Sequence, residues 1–254
     1  MPAMRIAFVG KGGSGKSAIA GTFARLLARR GDPVLVLDSD PMPGLALSLG
    51  MDVAEAGIPD EAVVEGPEGG PRYVLRGDLS PAEAVERYAA TGPDGVRLLQ
   101  LGKLRGHSST LVRSQFAFRE IAERLSDGDW HLIGDLPGGT RQPFFGWGGF
   151  ARTVLVVVEP TAKSLLSARR LARLGRGEDA PRVVAVANKV RGDADAERIT
   201  QRTELEVIAA VPWDEALLGA EQHGRAPVED VPDCPAVAAV RSLVERLRTQ
   251  EGPT

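Results

Sequence analysis

The segment Gly10-Lys-Gly-Gly-Ser-Gly-Lys-Ser17 constrains this chain more than any other. It fits the pattern G-x-x-x-x-G-K-[ST] at every position, and it lies between an apolar run of strand length (residues 5–9) and a helical periodicity. In that setting the glycines let the backbone curl so that successive N–H groups point at phosphate oxygens. The helix that follows adds the positive end of its dipole. Gly12, Gly13, Ser14, Gly15, Lys16, Ser17 and Ala18 are the expected phosphate contacts. Lys16 brings positive charge to the β- and γ-phosphates, and the Ser17 hydroxyl is a ligand for Mg2+.

Apolar runs and helical periodicities alternate along the rest of the chain. Ile19, Phe23, Leu26 and Leu27 mark one helix face, Gly31 stops that helix, and Pro33 opens a strand at 34–37. Further strands are expected at 96–101, 130–135, 154–158, 183–187 and 207–211. Helices are expected near 111–125, 162–174, 195–203, 213–222 and 235–248. Continuous Val/Leu/Ile runs are what strands buried on both faces look like, and their alternation with helices requires right-handed crossovers. The expectation is therefore an α/β fold: a single doubly wound, mostly parallel sheet flanked by helices, spanning 1–254 as one domain. Residues 52–95 are rich in Pro, Gly and acids, with a short strand at 73–75. They read as a variable surface excursion, which is a lid, a partner site or an inert insertion.

Composition removes other classes. With 43% apolar and 26% charged residues the chain is globular rather than disordered. No apolar run approaches the ~20 residues that span a bilayer, so no transmembrane segment is expected. One cysteine, Cys234, provides neither a disulfide nor a thiolate zinc cluster. A cytoplasmic protein is the default. A net charge of −3 gives no overall footprint for nucleic acid, which is a disfavoured partner.

Two aspartates, Asp38 and Asp40, close the second strand at the edge where parallel sheets bind ligands. Asp135 ends another apolar strand and is followed by Leu-Pro-Gly-Gly139. That pattern suits an acid holding Mg2+ through water, with the Gly138 N–H sensing a γ-phosphate. Asn188-Lys189-Val-Arg191 follows a further strand. An Asp at the last position would accept from guanine; Arg191 offers only donors, so guanine is disfavoured. Asn188 has a donor and an acceptor, which suits the N6/N7 edge of adenine. ATP with Mg2+ is therefore the expected ligand.

Lys11, in the pattern K-G-G-x-G-K-S, makes the motif more specific. Here the sequence resembles the deviant Walker A ATPases, which include the nitrogenase iron protein, the septum-site and partition ATPases and the metallocentre-assembly ATPases. The resemblance implies that Lys11 reaches across an interface to a partner's nucleotide, so that ATP promotes a homodimer. It also implies that Asp40 orients the attacking water, that Asp38 lies near the metal, and that Pro212 to Asp214 flank the base. Residues 36–50, 156–160 with Ser164 and Ala168, and 186–190 resemble the accessory ATPases for nickel insertion into carbon monoxide dehydrogenase. That branch carries a C-x-C metal motif; this chain has Gly106-His-Ser-Ser-Thr110 in its place, and the acid–His pair that follows Asp135 in that branch is also missing.

The resemblance thus implies a slow ATPase with Lys11, Lys16 and Asp40 in catalytic roles, switching on a client protein as a maturation or assembly factor. Two alternatives stay open. One is a partition- or positioning-type ATPase that binds DNA or a surface as an ATP dimer. The other is a small-molecule kinase built on the same loop.

Overall fold

The computed structural model describes residues 3–39, 44–52, 57–101, 108–125, 130–139, 148–177 and 180–250. Strand β1 (Arg5–Gly10) leads through the glycine loop into α1 (Lys16–Ala28), then β2 (Val34–Asp38) and a one-turn helix α2 (Leu45–Ser48). A two-stranded antiparallel hairpin, β3 (Val63–Glu65) and β4 (Tyr73–Leu75), precedes α3 (Pro81–Tyr88), β5 (Ala90–Thr91) and β6 (Arg97–Gln100). The chain continues through α4 (Ser108–Arg124), β7 (His131–Asp135), β8 (Thr153–Val158), α5 (Ala162–Leu174), β9 (Arg182–Val190), α6 (Asp193–Thr203) and β10 (Val207–Pro212). Three helices close it, α7 (Glu215–Gln222), α8 (Pro227–Asp230) and α9 (Pro235–Gln250).

Eight strands form one sheet in the order β10-β9-β8-β1-β7-β2-β6-β5, parallel except for β5. This is the expected α/β architecture. All seven strands expected in the sheet are present, as β1, β2 and β6 to β10. From β1 the chain runs to β2 and β6 on one side of the sheet, then returns through β7 to β8, β9 and β10 on the other. The carboxyl end of β1 is thereby a switch point, where open α/β sheets place their ligands.

Side chains alternate across β1. Ile6 and Phe8 enter a core beneath α1, α2 and α9, while Ala7 and Val9 enter a second core beneath α4, α5 and α6. The Phe8 and Phe23 rings meet edge-on with centroids 5.6 Å apart, a contact of ~0.5–1.5 kcal/mol. They hold the strand before the glycine loop against the helix after it.

The stretch between β2 and β6 contains more structure than the sequence led us to expect. Tyr73, Leu75, Leu79, Ala84 and Val85 are buried in the same core as Phe118 and Ile121 of α4. Helix α3 starts with a capping box: the Glu83 N–H donates to Ser80 Oγ, and the Ser80 N–H donates to the Glu83 carboxylate.

Candidate nucleotide-binding site

The glycine loop is gripped from behind by the end of β9. Asn188 Nδ2 donates to Ser14 O at 2.7 Å, and Lys189 Nζ donates to Gly13 O at 2.9 Å while pairing with Glu159 Oε1 at 2.6 Å. Lys189 adopts φ 58°, uncommon for a residue with a side chain. Gly15, at φ 87°, cannot be replaced cheaply, because a Cβ there would lie 2.3 Å from Asn188 Nδ2. The first role of Asn188 is therefore to hold the loop, and that of Lys189 likewise. Glu159 was not expected at the site at all.

Helix α1 has no acid in its first turn and no side-chain cap. Its first helical bond is Ile19 N–H to Gly15 O. The amides of Lys16, Ser17 and Ala18 precede that bond, which makes this end ready for an external anion. The Ser14 N–H donates to Lys11 O at 3.0 Å and closes the turn. Gly12 and Gly13 face open space.

Beneath the loop, Ser17 Oγ donates to Asp135 Oδ2 at 2.5 Å, and Lys16 Nζ lies 3.3 Å from Asp135 Oδ1. Asp38 and Asp135 end neighbouring strands in register, and both are buried. Gly138 lies beside the loop, where a Cβ would come 3.2 Å from Gly12 N. Lys11 lies on the outer rim, its Nζ donating to Gly12 O at 3.2 Å. A hydroxyl and a carboxylate are hard oxygen donors that suit Mg2+, which needs few protein ligands. Asp40 lies outside the described residues, as does His107.

A cavity of about 360 Å³ opens over the start of α1, within the ~300–1,000 Å³ range of small-molecule sites. Its walls are α1 itself, Leu47 and Ser48 of α2, Glu221 of α7, and Gly224 and Arg225 between α7 and α8. Loss of water at the wall pushes the Glu221 carboxyl above the usual range, with Lys189 opposing. Sequence reasoning missed Glu221 and Arg225, since no motif marks them. A narrow cleft continues between Asn188, Pro212, Trp213 and Leu217. The Arg191 guanidinium stacks 5.2 Å from the Trp213 ring centroid, on the flank of that cleft.

Asp214 anchors the cleft. One carboxylate oxygen caps α7 through the N–H groups of Ala216 and Leu217, and the other accepts from Ala236 N–H at the start of α9. Burial works to raise its pKa, but these donors, together with the Cys234 thiol, hold it below the ordinary 3.8. The buried Cys234 thiol is in turn pushed up, by burial first and by Asp214 as well.

A strand, a glycine loop, an uncapped helix and a paired Ser–Asp set define a P-loop nucleotide-binding protein. The family model for the CobQ/CobB/MinD/ParA nucleotide-binding domain matches residues 6–228, and the chain belongs to that family. It is an ATP-binding, MinD/ParA-like ATPase. The chain is 27% identical to the carbon monoxide dehydrogenase accessory protein CooC of Rhodospirillum rubrum, over 98% of this chain and 99% of that one. Among solved structures it resembles the septum site-determining protein MinD complexed with Mg-ADP from Pyrococcus horikoshii, with TM-score 0.74 and 17% identity, covering 98% of each chain. It also resembles the MinC:MinD cell division protein complex of Aquifex aeolicus, with TM-score 0.71 and 21% identity, covering 99% of this chain and 98% of that one. Among the described residues no helix is long and apolar enough to cross a membrane.

Asp214→Ala removes two helix caps and should cost about 1–2 kcal/mol at pH 7. Because the folded-state pKa is depressed, this contribution is complete above the ordinary carboxylate range and is lost as pH falls through the lowered value. Thermal unfolding from pH 7 to pH 3 should show the gap between wild type and variant narrowing below about pH 4.

Proposed function

We propose that this ATPase is a dimerising molecular switch that acts on a partner protein, as a maturation or assembly accessory factor. The observation that carries the reading is the convergence of Lys16, Ser17 and Asp135 under an uncapped helix start, with a second lysine, Lys11, on the outer rim. In hydrolysis the oxygen of a water bonds to the γ-phosphorus. The bond from that phosphorus to the β–γ bridging oxygen breaks, and ADP leaves with its electron pair. Asp40 orients the water and Lys16 offsets charge on the phosphate oxygens. Ser17 and Asp135, with Asp38 beside them, would hold Mg2+, which would supply charge neutralisation on the phosphate oxygens when bound. Gly138 reads the γ-phosphate. The adenine enters the cleft beside Asn188, Lys189 and Pro212. Lys11 reaches the nucleotide of a second copy, so turnover is coupled to pairing and is slow until the client engages.

End-to-end similarity to CooC supports the accessory role. Metal cargo is no part of the proposal. The chain's one cysteine is buried and donates to Asp214, and among the described residues no three His, Cys, Asp or Glu side chains converge as a metal site. A partition or positioning role is the second reading, favoured by the likeness to MinD and by the exposed arginines of α5. Arg169 of that helix and Arg176 just after it are drawn to Glu204 at 3.7 and 2.8 Å, which weakens the patch. ATP-dependent retention on DNA or on anionic vesicles would select that role.

Lys16→Ala should lose about a hundredfold in ATP affinity by calorimetry, the worth of a charged hydrogen bond of ~3 kcal/mol. Unchanged affinity would sink the reading. Asp40→Ala should bind ATP but turn over slowly and accumulate as a dimer; normal phosphate release would remove its assigned role. Lys11→Ala should bind ATP yet stay monomeric by light scattering, and an ATP-dependent dimer of that variant would refute action in trans.

A further inference from the structure

Arg25 is the largest fully buried side chain among the described residues, at 1% exposure, and it sits on the same helix as Lys16 and Ser17. A guanidinium is costly to bury, so its partners must repay that cost. They come from three separate parts of the chain. Nη1 donates to Leu49 O, at the end of α2, at 2.5 Å. Nη2 pairs with Glu229 Oε1 of α8 at 2.5 Å. Nε donates to Asp94 Oδ2 at 2.9 Å, and Asp94 also accepts from Arg29.

Two of these three attachments lead directly to neighbouring walls of the nucleotide cavity, where a Cβ at Gly224 would lie 3.7 Å from Leu47. Helix α2 carries Leu47 and Ser48, and the turn before α8 carries Gly224 and Arg225. Both walls also pack on the core, through Leu45, Ala46 and Leu49 of α2 and through Ala226 and Val228 at α8, and Arg29 donates to Val228 O at 3.1 Å, but Arg25 is the side chain that ties the two together. Helix α2 has one turn and rests on α1 where Gly21 leaves room; a Cβ at Gly21 would lie 2.6 Å from Ser48 Cβ. Helix α8 also has one turn, and Arg225 folds back onto it by pairing with Asp230 at 3.0 Å.

We propose that Arg25 is a positioning residue for the nucleotide site. Its buried guanidinium sets both lateral walls of the cavity relative to the helix that carries Lys16 and Ser17. The third partner, Asp94, lines neither wall and serves as the internal control. The proposal rests on the ATP-site reading, because the cavity it shapes is the one assigned to the nucleotide.

The test compares Glu229→Ala, Glu229→Gln and Asp94→Ala in the full chain. Three quantities are measured: the ATP Kd by calorimetry, kcat and KM for phosphate release, and thermal unfolding. Glu229→Ala should raise Kd and KM about tenfold, the scale of a small misplacement of binding groups. Its kcat at saturating ATP should stay within about twofold, since Lys16, Ser17 and Asp135 are untouched. Glu229→Gln keeps an oxygen for Nη2 and should restore Kd to within about threefold of wild type. Asp94→Ala should lose a comparable amount of thermal stability with Kd unchanged. If both alanine variants weaken ATP in proportion to their lost stability, or if neither does, the proposal is overturned. Amide hydrogen exchange without nucleotide separates this from the functional reading. Faster exchange at residues 224–231 in Glu229→Ala but not in Asp94→Ala supports the junction even if wild type takes up no ATP, whereas equal exchange in both refutes it.

Discussion

The site depends on two backbone carbonyls being held from outside the loop. A trans peptide places N–H opposite C=O, so fixing a carbonyl fixes where the following amide points. Asn188 takes Ser14 O, which turns the Gly15 amide away from β9 and toward the cavity side. Lys189 takes Gly13 O and so locks the turn that the Ser14 N–H closes on Lys11 O. A glycine-rich loop loses much conformational entropy on ordering. Here that loss is borne by the end of β9, and Glu159 keeps the Lys189 ammonium in place. Glycines supply the freedom to curl, and side chains outside the loop select the curled form.

This division explains what was legible in the sequence. The loop, the strand runs and the acid at 135 follow from local pattern, because each is decided within ten residues or fewer. The grips are long-range: Asn188 and Ser14 are 174 positions apart, and Arg25 and Glu229 are 204 apart. Nothing in a single sequence marks such pairs. The 52–95 stretch was obscured for another reason. Ser80-Pro-x-Glu83 is a readable helix start, yet the surrounding Pro, Gly and acids outweighed it. Strand β5 has two residues and no periodicity to detect.

The base cleft shows how one substitution is absorbed. Where guanine-binding loops carry an acid, Arg191 sits over the Trp213 ring and thickens the flank of the cleft. Its charge is placed over a ring face rather than toward a base edge. The same cleft is floored by Asp214, whose carboxylate is fully engaged with helix starts and a thiol. Under the proposed function, recognition of the base is left to Asn188 and to shape, a combination that suits a flat apolar purine with one polar edge.

The Asp214–Cys234 contact also bears on what kind of switch this chain is. A thiolate available for soft metals must be exposed and stabilised by positive charge. Cys234 has the opposite surroundings: it is buried, beside a carboxylate, and its proton is engaged in a hydrogen bond. Under the proposed function, a client is recognised through the surface presented by the nucleotide state, and not through a shared thiolate metal. In that case the segments next to the cavity, α2 and the 224–230 turn, are where nucleotide occupancy becomes shape. Both are one-turn helices, too short to hold themselves, and both are seated on the same buried arginine. A wall that is weak alone but fixed by a common anchor moves as a unit when a ligand presses on it, which is what a switch requires of its parts.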